Sequence, residues 1–195
     1  MKSISNGRPY DTPKEIANTA REQEGNSSNT EPDFRIARDG TWFYHGSPIL
    51  RKSLVKLYST VLKCGSDGRF WLETPVERVE VSVEDAPFIA VSATQVGGGE
   101  NQIIYFQTNL DEVVEAGPEH PIHVAVDPDT GQPAPYVIIR PRLEALIARS
   151  VFYDLVLWAE EDTAAGELFL QSKRIRFSLG RFLEEKNQHD ANASN

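Results

Sequence analysis

The sequence has few of the residues that would place the chain in several common protein classes. Cys64 is its only cysteine, so no disulfide can form within the chain, and we expect a reducing compartment. No apolar run approaches the ~20 residues that a membrane-spanning helix needs. The N-terminal residues also lack the apolar stretch of a secretory signal. These absences predict a cytoplasmic protein with no membrane partner.

Basic residues are outnumbered as well. The 195 residues include 20 Lys and Arg against 29 Asp and Glu, which gives a net charge of -9 at pH 7. Proteins that bind nucleic acids in general have a basic surface, so we expect no nucleic-acid partner. The length suffices for one or two domains. The hydrophobic share of 39% is somewhat low for a globular protein, and polar chain ends account for it.

Composition along the chain predicts two domains between polar ends. Residues 1–32 form a flexible N-terminal segment, with a short helix at Pro13–Glu24 and a linker at Gly25–Pro32. Residues 33–85 form a first α+β domain, and residues 86–183 form a second. Residues 184–195 are a disordered tail.

The first domain begins with a hairpin pattern. Phe34 and Ile36 alternate with polar residues, Asp39-Gly40 is a typical turn pair, and an aromatic strand, Trp42-Phe43-Tyr44, follows. Ser47-Pro48 has the form of a helix start, with a polar cap and proline at the first turn. The pattern predicts a helix to Lys63, ended by a left-handed Gly65.

Later segments repeat this order of elements. Strand patterns follow at RFWLET, ERVEVSVE, FIAVSATQ, IIYFQTN, Ile122–Val126 and Tyr136–Arg140. A second helix is predicted from Pro141 to Glu160, and ELFLQS and RIRFSLG complete the second set. Strand, turn, strand, proline, helix, strand and strand therefore occur twice, in Asp33–Asp85 and Ile122–Gly180. We expect an α+β fold with an internal duplication, the second domain carrying an extra hairpin in front.

The same segments resemble a known family. FRIARDGTWFYHGSPILRKSLVKLYSTVL, DGRFWLETPVERVEVSVEDAPF, HPIHVAVDPDTG and LEALIARSVFYDLV are similar to the bacterial family called domain of unknown function 1285. The combination of DGTW, SPILR, LETPVE and VEDAPF is specific, and the resemblance covers about Asp33–Leu183. It implies two similar α+β domains, the second loosely like a pleckstrin-homology fold. It also implies a nucleotide-related ligand near the domain interface and a role in signal transduction, with no established catalytic residues.

The faces of the first predicted helix place one charge among apolar residues. At 100° per residue, Leu50, Leu54, Leu57 and Val61 share one side, and Tyr58, Leu62 and Val55 widen this apolar arc. Lys52, Lys56 and Lys63 form a solvated row opposite. Arg51 falls inside the apolar arc, where a guanidinium needs a partner. It is therefore a candidate for a snorkelling residue, a structural ion pair or a ligand contact.

The second predicted helix is apolar nearly all round, apart from one stripe. Arg142, Arg149 and Tyr153 lie at i, i+7 and i+11, within about 40° of one another, and Arg140 precedes them. Two guanidiniums and a phenol suit a phosphate or carboxylate. The candidate ligand-binding residues are Arg51, Arg140, Arg142, Arg149 and Tyr153. The alternative is that the stripe is the solvent edge of a buried helix. Asp154 is a candidate partner for Arg51.

The other motifs do not predict a catalytic, metal-binding or phosphate-binding site. VGGGEN lacks the Lys-Ser/Thr of a phosphate loop, and proline separates His120 from His123. Asp127-Pro128-Asp129 lacks the remaining ligands of a calcium loop. Cys64 has no histidine nearby in sequence, and nothing places Glu73 and Glu77 across a substrate. We therefore expect no catalytic residue, no metal ligand and no cofactor.

Three hypotheses of function follow. The first is a non-enzymatic regulator that binds a nucleotide-related or other anionic small molecule at the domain interface. The second is a protein-interaction module that presents the N-terminal segment and an acidic strand face formed by Glu77, Glu80 and Glu84. The third is an enzyme of unrecognised type, which would need an acid or base with a strongly perturbed pKa in a pocket.

Overall fold

The computed structural model describes residues 32–126 and 131–181. Within these ranges it contains fifteen β-strands, two α-helices and a 3-10 turn at Gly99–Asn101. The predicted helix at Pro13–Glu24, the turn at 127–129 and the tail from residue 184 lie outside the described residues.

The first unit is a six-stranded mixed sheet with one helix, α1, at Lys52–Thr60. Its strands are β1 (Phe34–Ile36), β2 (Trp42–Tyr44), β3 (Ser47–Pro48), β4 (Leu62–Cys64), β5 (Phe70–Glu73) and β6 (Arg78–Val83). The spatial order is β3-β2-β1-β6-β5-β4. All neighbours are antiparallel except β1 and β6, which run parallel with Phe34 opposite Val81.

The second unit has two sheets and the helix α2, at Arg149–Trp158. Its strands are β7 (Phe88–Val96), β8 (Ile103–Thr108), β9 (Val113–Glu115), β10 (Ile122–Val126), β11 (Pro133–Arg140), β12 (Leu143–Ile147), β13 (Glu160–Asp162), β14 (Glu167–Ser172) and β15 (Ile175–Arg181). One sheet has the order β10-β11-β12-β7-β8-β9, with β12 parallel to β7. The other is the antiparallel meander β13-β14-β15.

The two units share one order of elements. Three strands in a meander, a helix and a second three-strand meander form both β1–β6 with α1 and β10–β15 with α2. In each unit the first strand lies beside the last, β1 beside β6 and β10 beside β15. The prediction of two similar α+β units is confirmed, with the β7–β9 strands in front of the second set.

The first predicted hairpin is confirmed in detail. Phe34 pairs with Tyr44 across it, and Trp42, which pairs with Ile36 beside the turn, is buried. Gly40 has a φ of 81°, a left-handed conformation that glycine adopts without a steric penalty. The turn pair therefore sets the register of this hairpin.

The first helix is shorter than predicted, and its start was wrong. Ser47-Pro48 forms the edge strand β3 rather than a cap, and Ile49 donates its N–H to the carbonyl of Trp42. Proline is tolerated at a sheet edge because no ladder hydrogen bond is needed there. The helix ends at Thr60, and the chain continues directly into the strand β4 at Leu62–Cys64. Gly65 therefore does not end the helix, and its φ is not positive.

The apolar face predicted for this helix is right in part, since Leu54 and Val61 pack against the core. Val55 and Tyr58 are its buried apolar residues, whereas Leu57 is half exposed and Leu50, which lies before the helix, is 89% exposed. Two lysines of the row that was predicted to be solvated also form ion pairs with the second unit. Lys52 and Lys56 each place Nζ 2.7 Å from a carboxylate oxygen of Asp111 in the second unit.

The second predicted helix, Pro141–Glu160, is in fact a turn, a strand and a helix. Leu143, Ala145 and Ile147 are buried at alternate positions of β12, which pairs with β11 and β7. A short, mainly apolar run fits a buried strand as well as a buried helix, and tertiary pairing decides between them. Arg142 sits in the β11–β12 turn with a φ of 62°.

One apolar core runs through both units. It joins Phe34, Trp42 and Val81 of the first unit to Phe106 and Leu155 of the second. Hydrogen bonds also cross between the units, because Arg140 of β11 donates from Nη1 to the carbonyl of Ser59 at the end of α1, over 2.7 Å. The units therefore pack as one body around a continuous core.

Candidate functional site

A cleft of about 430 Å³ brings side chains of both units together. The first unit contributes Arg38, from the β1–β2 turn. The second contributes the start of β11, the end of β12 and the first turn of α2. Its walls are largely apolar, and its polar side chains are those of Arg38, Gln132, Arg149 and Tyr153.

Arg149 and Tyr153 lie at i and i+4 on α2, so their side chains meet on one face of the helix. Arg149 donates from Nε to the Tyr153 hydroxyl over 2.8 Å, and its guanidinium lies 5.8 Å from the ring centre. The phenol oxygen is thus used as an acceptor, which directs its own O–H elsewhere. The helix starts here without a side-chain cap, so its first-turn N–H groups add positive potential.

Arg38 is held at the cleft by two carboxylates. Its Nε lies 3.0 Å from Oδ2 of Asp85, and its backbone N–H donates to Oε2 of Glu84 over 3.0 Å. Asp85 is largely buried and also accepts a 2.8 Å hydrogen bond from the Tyr136 hydroxyl. The Arg38 side chain itself stays more than half exposed. Asp85 and Tyr136 therefore orient a cation that solvent, or a ligand, can reach.

The pKa values of this network follow from burial and charge. Burial, with the hydrogen bond to Asp85 and its negative charge, raises the pKa of Tyr136 to about 12. The phenol therefore remains a donor at neutral pH. The hydrogen bond from the Arg38 backbone, followed by that from Arg35, lowers the pKa of Glu84. Both groups keep the protonation state that their hydrogen bonds require.

The cleft contains only part of the predicted site. Arg149 and Tyr153 line it, but Arg142 lies in the turn at the far end of β12, so the stripe of three residues along one helix does not exist. Arg140 also lies outside the cleft. It forms a forked pair with Glu112, with Nε 3.0 Å from Oε1 and Nη2 2.5 Å from Oε2. Arg51 occupies the N-cap position of α1 without a side-chain capping hydrogen bond, and it is exposed there and does not line the cleft.

Arg38 and Gln132 were missed by sequence reasoning. Arg38 directly precedes the Asp39-Gly40 turn, where a charged residue is ordinary, and Gln132 follows a turn-rich loop. No periodicity links either residue to α2. Only the packing of the β1–β2 turn against the second unit brings Arg38 to Arg149.

The other candidate residues are engaged elsewhere. His120 Nδ1 lies 3.0 Å from the carbonyl of Ile138, whereas His123 stacks on Tyr136 and faces Glu144. Burial raises the pKa of the Cys64 thiol, which disfavours the thiolate. Asp154 is exposed, so it is not the buried partner expected for Arg51. No cluster of metal-ligating side chains occurs within residues 32–126 and 131–181.

The acidic strand face is partly neutralised. Glu84 forms an ion pair with Arg35, and Glu80 lies 3.9 Å from Arg69. These ion pairs do not single out the acidic face as a protein-binding surface.

Among the described residues, no helix is both long and apolar enough to cross a bilayer.

Fold and cleft together define a two-unit α+β protein with a cation-lined cleft at its unit boundary. Two family models match the chain in succession, the N-terminal domain of DUF1285 over residues 25–86 and the C-terminal domain over residues 87–179. Both are described as of unknown function. The chain belongs to the DUF1285 family, as the sequence resemblance predicted.

Two solved structures of this family are similar to the chain. A DUF1285 protein from Silicibacter pomeroyi DSS-3 is 46% identical, with a TM-score of 0.73 over 78% of this chain and 82% of that one. A DUF1285 protein from Shewanella baltica OS155 is 26% identical, with a TM-score of 0.51 over 65% of this chain and 91% of that one. No curated protein matches the sequence.

Proposed function

We propose that this protein is a non-enzymatic sensor that binds a small anionic molecule in the cleft between its units. The observation that carries the proposal is the convergence of Arg38 and Arg149 on one cleft, in a protein with a net charge of -9. Guanidiniums stay charged and present forked donors that match phosphate and carboxylate oxygens. Two of them, from different units, allow one ligand to bridge the units.

The walls of the cleft support a ligand with a flat apolar part. Pro133, Pro135 and Phe152 line it beside the two arginines. A volume of about 430 Å³ falls within the range of small-molecule sites. These features agree with the nucleotide-related ligand that the family resemblance implies. The proposal also includes a pleckstrin-homology-like second unit and a role in signal transduction, both of which the family resemblance implies.

The test begins with a thermal-shift screen of the full chain against nucleotides, dinucleotides, cyclic nucleotides and acidic metabolites. A ligand at a hundred times its Kd stabilises the folded state by about 2.7 kcal/mol. We expect a clear increase in Tm with at least one of these compounds, followed by a Kd from calorimetry. A panel without any hit would contradict the proposal.

Two arginine variants then test the position of the site. Arg149→Ala is expected to reduce affinity at least tenfold, because a charged hydrogen bond contributes roughly 1.5–3 kcal/mol. Arg142→Ala is the matched control, since Arg142 is exposed and lies outside the cleft. Unchanged affinity in Arg149→Ala, or equal losses in both variants, would show that the ligand binds elsewhere.

A further inference from the structure

A separate cavity, of about 140 Å³, lies in the first unit between α1 and the sheet. Among its lining residues, Phe34 of β1 and Leu72 of β5 are buried, whereas Leu57 of α1 is half exposed. The described residues that line it are all different from those of the cleft at the unit boundary. The cavity therefore reaches from the surface into the core at a place that the proposed function does not use.

The walls of this cavity are apolar, and its size matches a single ring. The apolar and aromatic side chains that line it are those of Phe34, Leu57, Tyr58, Val61, Leu72 and Val79. An engineered protein cavity of about 150 Å³ with similar walls stays dry and binds benzene. A hydrocarbon group of the size of one benzene ring therefore fits.

Tyr58 brings a hydroxyl without a hydrogen-bond partner to this apolar site. The residue is 8% exposed, and its ring centre lies 5.2 Å from that of Phe34 and 6.4 Å from that of Trp42. No described residue hydrogen-bonds the hydroxyl. The oxygen is not sealed in the core, because the buried side-chain atoms without a partner in the described part of the chain are Trp42 Nε1 and Trp71 Nε1. A molecule in the cavity can therefore supply the missing hydrogen bond.

Glu77 brings a carboxylate to the same cavity. It is half buried in the β5–β6 turn, and its carboxylate forms no ion pair or hydrogen bond with another described residue. Its backbone is fixed, because its N–H donates to the Thr74 hydroxyl over 3.1 Å and its carbonyl accepts the Thr74 N–H over 2.8 Å. Among the described residues that line the cavity, Glu77 is the only charged one. The charge of the site is thus negative.

We propose that this cavity binds a small organic cation that combines an apolar ring with an ammonium group. The ring fills the apolar part, and the ammonium, which carries only donors, bonds the Tyr58 hydroxyl oxygen and the Glu77 carboxylate. The faces of the Phe34 and Tyr58 rings also attract a cation. The cavity thus has the opposite charge preference to the cleft with Arg38 and Arg149. The two sites are independent, so Arg149→Ala should leave cation binding unchanged.

Three probes of similar size and different charge test this preference. They are 2-phenylethylamine, which is protonated at neutral pH, 2-phenylethanol and 3-phenylpropionate. Chemical-shift changes in two-dimensional NMR spectra of the full chain give their Kd values. We expect saturable binding of the amine, roughly threefold tighter than that of the alcohol, because a half-buried carboxylate attracts a cation only modestly. Absence of saturable amine binding, or equal affinity for amine and alcohol, would overturn the proposal.

Matched glutamate variants locate the ammonium group. Glu77→Gln should abolish the preference for the amine over the alcohol and leave the affinity for the alcohol unchanged, because only the charge is removed. Glu73→Gln is its control, since Glu73 makes the same change of charge in the same strand-turn region but is exposed and does not line the cavity. Equal effects of the two variants, or a preserved preference in Glu77→Gln, would show that the cation does not bind at Glu77.

Tyr58→Phe tests the hydroxyl. This variant removes one oxygen from the cavity and should weaken binding of both the amine and the alcohol, roughly threefold or more, because both probes hydrogen-bond the phenol. Circular dichroism establishes that the variant is folded. Unchanged affinity for both probes would place them outside this cavity.

Other ligand classes give different results, and each would contradict the proposal. If 3-phenylpropionate binds most tightly, the site holds an anion. If all three probes bind equally and Glu77→Gln alters none of them, the cavity accepts neutral apolar molecules without regard to charge.

Discussion

Gly40 lies where the β1–β2 turn of the first unit touches the second unit. Its φ is 81°, and a Cβ at this position would lie 2.6 Å from Asn109 Nδ2 and 2.9 Å from Ile89 Cγ1. The side chain of Asn109 is not free to move away, since its Oδ1 accepts the N–H of Ile89. The absence of a side chain at Gly40 thus permits both the turn and the contact between units.

Replacing this glycine should therefore destabilise the protein through two effects. Gly40→Ala combines a left-handed conformation, which costs about 1–2 kcal/mol for an alanine, with a steric clash at the interface. Gly46→Ala is the control, because Gly46 has a similar φ of 75° and no atom within 4 Å of its Cβ position. Urea denaturation should show a larger loss for Gly40→Ala. Equal losses would mean that the interface accommodates the methyl group.

Tyr136 links stability to alkaline pH. Its pKa is raised to about 12 in the folded protein from an ordinary value of 10.0. The unfolded chain therefore ionises first, and the stability that Tyr136 contributes is lost as pH rises from 10 to 12. Tyr136→Phe should lose less stability over this interval than the unchanged protein in urea denaturation. If the free energy of unfolding fell equally with pH in the two proteins, the pKa of Tyr136 would not be raised in the folded state.

Among the secondary structure elements, α1 and β11 are joined by one arginine. Arg140 spans from the forked pair with Glu112 to the carbonyl of Ser59, which belongs to the last turn of α1. Carbonyls at a helix end have no partner within the helix and interact favourably with a cation. Arg140 therefore acts as a side-chain cap that one unit supplies to the helix of the other.

Loss of this cap should be costly because it leaves several groups without partners. Arg140→Ala is expected to lower the free energy of unfolding by about 2–4 kcal/mol, since Glu112 and the Ser59 carbonyl are partly buried and lose their hydrogen bonds. Arg174→Ala, at an exposed turn, is the comparison variant. A loss below about 0.5 kcal/mol for Arg140→Ala would place it among ordinary surface substitutions.

The molecule as a whole should unfold cooperatively. Its core is one cluster of buried side chains that continues from the first unit into the second, and the charged contacts of Asp111 and Arg140 reinforce the same boundary. Two units that share a core lose mutual support when either opens. The similar order of elements in the two units does not make them independent.

Hydrogen exchange measured by mass spectrometry tests this expectation in low urea concentrations. Peptides from the β1–β6 sheet and from the β10–β12 strands should lose protection at the same free energy, equal to that of global unfolding. A single urea transition seen by both fluorescence and circular dichroism should accompany this. Earlier exchange confined to residues 34–83 would show that the first unit opens alone.

The local pattern of the sequence was sufficient for some elements. The β1–β2 hairpin, the valine alternation of β6 and the repeated order of elements follow from turn residues and period-two hydrophobicity, which act between near neighbours in the chain. The family motifs likewise lie within short segments. Arg149 and Tyr153 were predicted to share a face because helical spacing alone brings i and i+4 together.

Tertiary contacts decided the rest. Leu143–Ile147 is a strand because β7 and β11 flank it, and Leu50 is exposed because the chain before α1 joins a sheet edge. Arg38 and Arg149 share a cleft although 110 positions separate them in sequence. Local patterns encode which face of an element is apolar, whereas the partner of that face is chosen by packing across the whole chain.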